Sequence, residues 1–279
     1  MPLVSTGDIV RDAARDGRGV GAFNVIQLEH ANALVDGAER AGAPVILQIS
    51  ENAVKYHGGL EPIGLATLAV ARTASVPVAV HLDHATKAEL VREAVALGFG
   101  SVMYDASVLP YDENVAATRS VVEHCHAAGV FVEAELGEVG GKDGVHAPGA
   151  RTDPAEAAAF VEATGIDALA IAVGTSHAML EKTAALDLDL IAANRKAVPV
   201  PLVLHGSSGV ADADLTRAVE AGMTKINIAT ALNQAFTGAV RDYLAANPKV
   251  VDTRKYLAPG REAVAAEVAR LLGVLRAAA

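Results

Sequence analysis

Short apolar runs rich in β-branched residues recur along the chain at 20–25, 44–50, 77–83, 101–107, 131–137, 168–174, 201–206 and 225–230. Near-continuous runs of this kind predict strands covered on both faces, as in parallel sheets. Between them lie Ala-rich segments with helical period; residues 29–41, for example, set Ala31, Leu34, Val35 and Ala38 on one stripe. Thr86 is a candidate N-cap for a helix over 88–97 that Gly98 ends, and a helix over 115–128 stops at Gly129. Asp153 and Pro154 open a helix over 155–163, with Asp as cap and Pro at the first helical position, and a helix over 212–221 ends at Gly222. At the ends of the chain, Ser5 caps a short helix reaching Gly17, and a helix over 262–275 carries Val264, Val268, Leu271, Leu272 and Leu275 on a stripe that needs a partner surface.

Strand–helix alternation repeated eight times predicts the α/β class, as a (β/α)8 TIM barrel in one domain spanning 1–279, with the first helix plugging its bottom. The spacings between strand starts, 24 to 37 residues, are normal for βα units. An open doubly wound sheet is the alternative, but it usually carries a Gly-rich turn after the first strand, and Asn24-Val25-Ile26-Gln27 supplies none.

Composition narrows the class. Of 279 residues 52% are hydrophobic and 20% charged, which excludes disorder as the overall state. No apolar run approaches the length of a membrane span, and no basic-then-apolar leader opens the sequence, so a cytoplasmic protein is expected. The single cysteine, Cys125, excludes a disulfide framework and a Cys-based metal cluster. A net charge of −10 with no basic face argues against nucleic acid, and an anionic substrate would have to be met by local positive features.

In a barrel of this type catalytic groups belong at the C-terminal ends of the strands. There the sequence places His81-Leu82-Asp83-His84, Asp105-Ala106-Ser107, Glu133-Ala134-Glu135, Gly174-Thr175-Ser176-His177, His205-Gly206-Ser207-Ser208-Gly209 and Asn227-Ile228-Ala229-Thr230. Three histidines, His84, His177 and His205, converging in the mouth would make a three-His zinc site with an open fourth position, although each taken singly also fits a hydrogen-bonded core or loop residue. Neighbours on a strand face opposite ways, so His84 can turn to a metal while Asp83 faces a substrate as general acid or base, or orients a ligand. Asp105 and Glu135 suit either a second cation position, divalent or monovalent, or hydrogen bonds to the histidines. His81 is expected to pack or hydrogen-bond within its strand, and His30, His57, His124, His126 and His146 to lie on helix or loop surfaces. The Gly/Ser cluster at 206–209 and the segment Asn227–Thr230 fit the usual phosphate site of the barrel. The Gly-rich stretch 137–144 reads as a lid carrying acid groups, or as an ordinary loop.

At these motifs, together with Lys225-Ile226-Asn227-Ile228 and Asp252-Thr253-Arg254-Lys255-Tyr256-Leu257, the sequence resembles the class II, zinc-dependent ketose-bisphosphate aldolases almost end to end. The resemblance implies that His84, His177 and His205 bind catalytic Zn2+, that Asp83 exchanges a proton with the aldehyde-derived oxygen, and that Asp105 and Glu135 form an alternative metal position. It implies substrate contacts from Asn24, Ser50, Ala178, Gly206, Ser207, Ser208, Asn227, Ile228, Ala229 and Thr230. Arg254 would reach the distal phosphate, in some members from a neighbouring subunit. Ala178 stands where the family usually has Gly, Asp143 would replace a lid Glu as the catalytic acid–base group, and Ala229 looks more like the tagatose-bisphosphate branch.

The expected activity is reversible cleavage of fructose 1,6-bisphosphate to dihydroxyacetone phosphate and glyceraldehyde 3-phosphate, with tagatose 1,6-bisphosphate or another ketose phosphate as alternative. A Schiff-base aldolase would need a desolvated lysine in the mouth; only Lys225 touches a strand, and at its N-terminal end. A metal-dependent hydrolase and a non-catalytic sugar-phosphate-binding barrel are the other rivals. A homodimer or homotetramer is expected from the C-terminal stripe and the resemblance.

Overall fold

The computed structural model describes residues 2–136, 151–177 and 179–277. Eight parallel strands close into a barrel in sequence order. They are β1 (Val20–Asn24), β2 (Val45–Ser50), β3 (Val78–Ala85), β4 (Ser101–Tyr104), β5 (Phe131–Leu136), β6 (Ala168–Ile171), β7 (Leu202–Leu204) and β8 (Met223–Ile228). Each falls within or overlaps one of the eight apolar runs.

Eleven α-helices are present among the described residues. Helix α1 (Thr6–Asp16) is capped by Ser5, whose Oγ accepts from the Gly7 N–H. Helices α2 (Leu28–Ala41), α5 (Ala88–Leu97), α6 (Tyr111–Ala127), α7 (Pro154–Thr164) and α9 (Asp212–Ala221) match the helical stretches of the sequence, and α10 (Thr230–Ala246) follows the segment Asn227–Thr230. Asp153 caps α7 by accepting from the N–H groups of Ala155 and Glu156, with Pro154 at its start. Helices α3 (Glu51–His57), α4 (Glu61–Thr73) and α8 (Leu188–Ala197) were not expected individually. Thr86 does not cap α5: the cap position falls on Lys87 without a side-chain bond, and the Thr86 hydroxyl turns to Glu51.

The last helix, α11 (Thr253–Val274), corrects another expectation. Its stripe of Val264, Val268, Leu271 and Leu272, with Leu275 just beyond, is buried within the chain itself and so supplies no argument for an oligomer. The partner surface is α2 and the barrel bottom. Gly37 of α2 makes the approach close enough: a Cβ there would lie 2.6 Å from the Ala265 carbonyl oxygen. His30 differs from expectation too, being buried beside Phe236 of α10 rather than lying on the surface.

Two apolar cores result from the alternation of side chains across the sheet. The larger fills the space between strands and helices. The smaller lies inside the barrel at its lower end, where Val20, Ala22, Ile46, Ala79, Phe131, Ala168, Ala170 and Val203 meet Ile9, Val10 and Ala13 of α1. The inward face of the upper barrel is polar. Among the described residues, no helix is long and apolar enough to cross a membrane.

Candidate active site

The strand ends bring His84, His177 and His205 together. Ring centroids lie 5.2 Å apart for His84 and His177, 4.6 Å for His84 and His205, and 5.9 Å for His177 and His205. One nitrogen from each ring lies within 4.8 Å of the others, and His84, Asp105 and Glu135 form a second such group. His84 Nδ1 lies 3.0 Å from Asp105 Oδ2, and His205 Nε2 lies 2.9 Å from Glu133 Oε1. The opposite nitrogens, His84 Nε2 and His205 Nδ1, are then the ones that would ligate. Glu135 Oε2 sits 3.3 Å from His205 Nδ1.

The way Asp83 and His84 share this site departs from simple strand alternation. Between Leu82 and Ala85, β3 advances three residues while its neighbour β4 advances two, from Val102 to Tyr104. The irregularity is accompanied by a left-handed backbone at His84, with φ of 52°. Such a conformation costs a non-glycine residue about 1–2 kcal/mol. It lets consecutive side chains reach one site: Asp83 Oδ1 is 3.9 Å from His84 Nε2 and accepts a long 3.4 Å bond from Asn227 Nδ2. A bulge of this kind re-aims a side chain where regular pairing would turn it away.

Beneath the histidines lies a layer built on Glu133, whose role the sequence reading left unassigned, and on His81, which packs and hydrogen-bonds as expected. Glu133, two residues before Glu135 and on the same face of β5, is fully buried and takes the Lys225 ammonium at 2.7 Å. Lys225 stands third in β8 rather than at the strand's N-terminal end, and its charge is spent on Glu133. His81 Nδ1 meets Ser101 Oγ at 2.7 Å, and Ser101 meets Thr6 of α1 at 2.6 Å. Burial, with Lys225 nearby, pushes the His81 ring down to about 3, so it is neutral. Burial would also favour neutral forms of Glu133 and Asp83. For Glu133 this is outweighed by Lys225 and the His205 bond; for Asp83, by the His84, His205 and Lys225 charges. Both carboxyls therefore sit below their usual range. The same burial acts on His205, but its bonds to Glu133 and Glu135 push it up to about 9.

Four carboxylates, those of Asp83, Asp105, Glu133 and Glu135, are thus buried around one buried lysine and the histidines. Carboxyl and imidazole groups buried together in this number are costly unless they are paired or bound to a metal. Imidazole and carboxylate donors are the set that zinc and similar divalent ions accept. The residues fit a metal centre.

A family model described as fructose-bisphosphate aldolase class-II matches residues 4–279. The chain belongs to this family. A fructose-bisphosphate aldolase of Staphylococcus aureus is 42% identical over 268 residues, covering 95% of this chain and 94% of that protein. Among solved structures, the YdjI aldolase of Escherichia coli K12 superposes with a TM-score of 0.87 at 33% identity, covering 99% of this chain and 98% of that one. A putative fructose-1,6-bisphosphate aldolase of Coccidioides immitis gives 0.87 at 30% identity, covering 98% and 96%. The enzyme is an aldolase, a carbon–carbon lyase.

Around the histidines of this aldolase the remaining sequence candidates take different places. Gly206 adopts a left-handed backbone with φ of 68°, and a Cβ there would lie 2.6 Å from the Ser176 carbonyl oxygen. It leads into a short 3₁₀ turn, Ser207–Gly209. Ser207 Oγ donates to the Leu204 carbonyl, and Ser208 Oγ accepts from the Ala231 N–H in the first turn of α10. Ala229 holds the cap position of α10 without a capping side chain, Thr230 opens the helix, and Ile228 packs its side chain in the outer core. Asn24 Oδ1 accepts from Gln48 Nε2 at 2.7 Å, and Ser50 Oγ accepts from Ala53 N–H, capping α3. Arg254 is not brought to the histidines: its side chain is 89% exposed at the start of α11 and paired with Asp252. Ala178 and Asp143 lie outside the described residues.

Proposed function

We propose that this aldolase cleaves fructose 1,6-bisphosphate reversibly to dihydroxyacetone phosphate and glyceraldehyde 3-phosphate, with zinc held by His84, His177 and His205. The observation that carries the reading is the convergence of these three rings beside a buried Asp83. Bound zinc supplies a Lewis acid that stabilises negative charge on the oxygens of a three-carbon ketone.

The chain's own groups do the rest. In the cleavage direction the ionised Asp83 accepts the proton of the sugar's C4 hydroxyl, and in condensation it returns it. Asn227, bonded to Asp83, fixes that carboxylate. Gly206, Ser207 and Ser208, with the backbone from Asn227 to Thr230, offer donors and the N-terminus of α10 to a phosphate. Asn24 and Ser50 border the same mouth, beside β3 and β8. Asp105 and Glu133 hold His84 and His205 in place through the ring nitrogens opposite the ligating ones, and Asp105 and Glu135 offer a second cation position. Asp143 exchanges the α-proton of the ketone, and Ala178 serves substrate binding. Arg254, facing solvent, serves the distal phosphate of a neighbouring subunit in a homodimer or homotetramer; a monomer in light scattering at assay concentration contradicts that role.

Tagatose 1,6-bisphosphate is the second reading, favoured by Ala229, which leaves its position without a polar side chain. Side-by-side turnover of the two sugars with added zinc decides between them. Faster cleavage of the fructose ester supports the first reading, and faster cleavage of the tagatose ester replaces it with the second.

A further inference from the structure

The left-handed turn at His84 must be held from both sides, or the chain would relax to ordinary strand geometry. On its N-terminal side Asp83 is in register with Ser50 of β2. On its C-terminal side the Ala85 carbonyl accepts from the Asp105 N–H at 2.8 Å. One residue further on, a single oxygen of Glu51 takes both donors of Thr86, the N–H at 2.6 Å and the hydroxyl at 2.8 Å. The other Glu51 oxygen meets Lys55 Nζ at 2.9 Å.

Glu51 is 6% exposed and is the first residue of α3, immediately after Ser50. Its carboxylate therefore ties the segment just past His84 back to the strand beside Asp83. The Thr86 hydroxyl is committed to this bond, and the cap position of α5 falls one residue later, on Lys87. Among the described contacts the Glu51 carboxylate bonds neither Asp83 nor His84, so any effect on them passes through the backbone.

We infer that Glu51 is a positioning residue that, through Thr86, holds the Asp83–His84 turn in the geometry that presents both side chains to the metal and the substrate. The inference rests on the proposed role of His84 as a metal ligand. A buried carboxylate that only stabilised the fold would leave metal affinity and turnover of the folded enzyme unchanged. One that fixes a ligand's orientation changes both, as partners of metal ligands do.

The test compares Glu51→Ala, Glu51→Gln and His84→Ala with the wild type. Zn2+ affinity is read by competition with a chromophoric chelator, and site geometry by the visible absorption of the Co2+-substituted protein. Glu51→Ala is expected to weaken Zn2+ binding about tenfold or more, to shift the Co2+ bands, and to lower kcat more than it raises KM. Glu51→Gln retains an oxygen that accepts both Thr86 donors and is expected to restore Zn2+ affinity to within about threefold of wild type. Should Glu51→Ala not fold, Thr86→Val removes one of the two bonds, and a measurable loss of Zn2+ affinity is expected there. A folded Glu51→Ala or Thr86→Val protein with unchanged Zn2+ affinity, Co2+ spectrum and kcat overturns the inference, while leaving the metal reading intact if His84→Ala still abolishes binding. His84→Ala binding Zn2+ as well as the wild type would instead remove the metal reading itself.

Discussion

The lower and upper halves of the barrel interior are built on the same inward-facing positions of the same strands, yet their chemistry is opposite. Low in the barrel these positions are Ile46, Ala79, Phe131 and Val203, packed on α1. Two residues further along each strand they become Gln48, His81, Glu133 and His205, and on three of these strands the next step brings Ser50, Asp83 and Glu135. The apolar end needs only shape to be stable. The polar end must find a partner for every buried charge, and it does so with Lys225, the Asp83–Asn227 contact and, in our reading, a metal. The apolar end contributes packing and the polar end carries the reactive groups, and substitutions at the two ends should differ in kind.

The largest effect is expected from His84→Ala, which should abolish both zinc retention, measured as metal per chain after desalting, and detectable cleavage. Asp83→Ala should keep the metal but lower turnover by about 10²- to 10⁴-fold, the usual contribution of a positioned acid–base group. Equal metal loss in the two variants would contradict the separation of their roles. Lys225→Met should destabilise the fold by about 3–5 kcal/mol in denaturant unfolding, because it leaves Glu133 buried without its cation. Ile46→Val, at the apolar end, should cost about 0.5–1.5 kcal/mol and leave kcat of the folded enzyme unchanged. A change in kcat from Ile46→Val would blur the division between the two ends.

Much of this plan was legible in the residues. The eight apolar runs gave the strands, and the pile-up of His, Asp and Glu at their C-terminal ends marked the reactive face. What escaped reading depends on contacts between distant parts of the chain. Regular alternation would have sent Asp83 and His84 to opposite faces; the irregular pairing of β3 with β4 and the positive φ of His84 set them together. Thr86 has the chemistry of a helix cap, but Glu51, 35 positions earlier, takes its hydroxyl. The stripe of α11 looked like an intermolecular surface because its partners, α2 and the barrel bottom, lie near the other end of the chain. Glu133 could have been found, since it shares a strand face with Glu135, whereas its pairing with Lys225 spans 92 positions and left no local signal.

The most direct test of the account is cleavage of fructose 1,6-bisphosphate by protein stripped with a chelator and then titrated with Zn2+. We predict negligible cleavage before addition and a rise that saturates as the three-His site fills, with no recovery in His84→Ala. Full cleavage by the stripped protein, with chelator still present, would contradict a metal centre at these histidines.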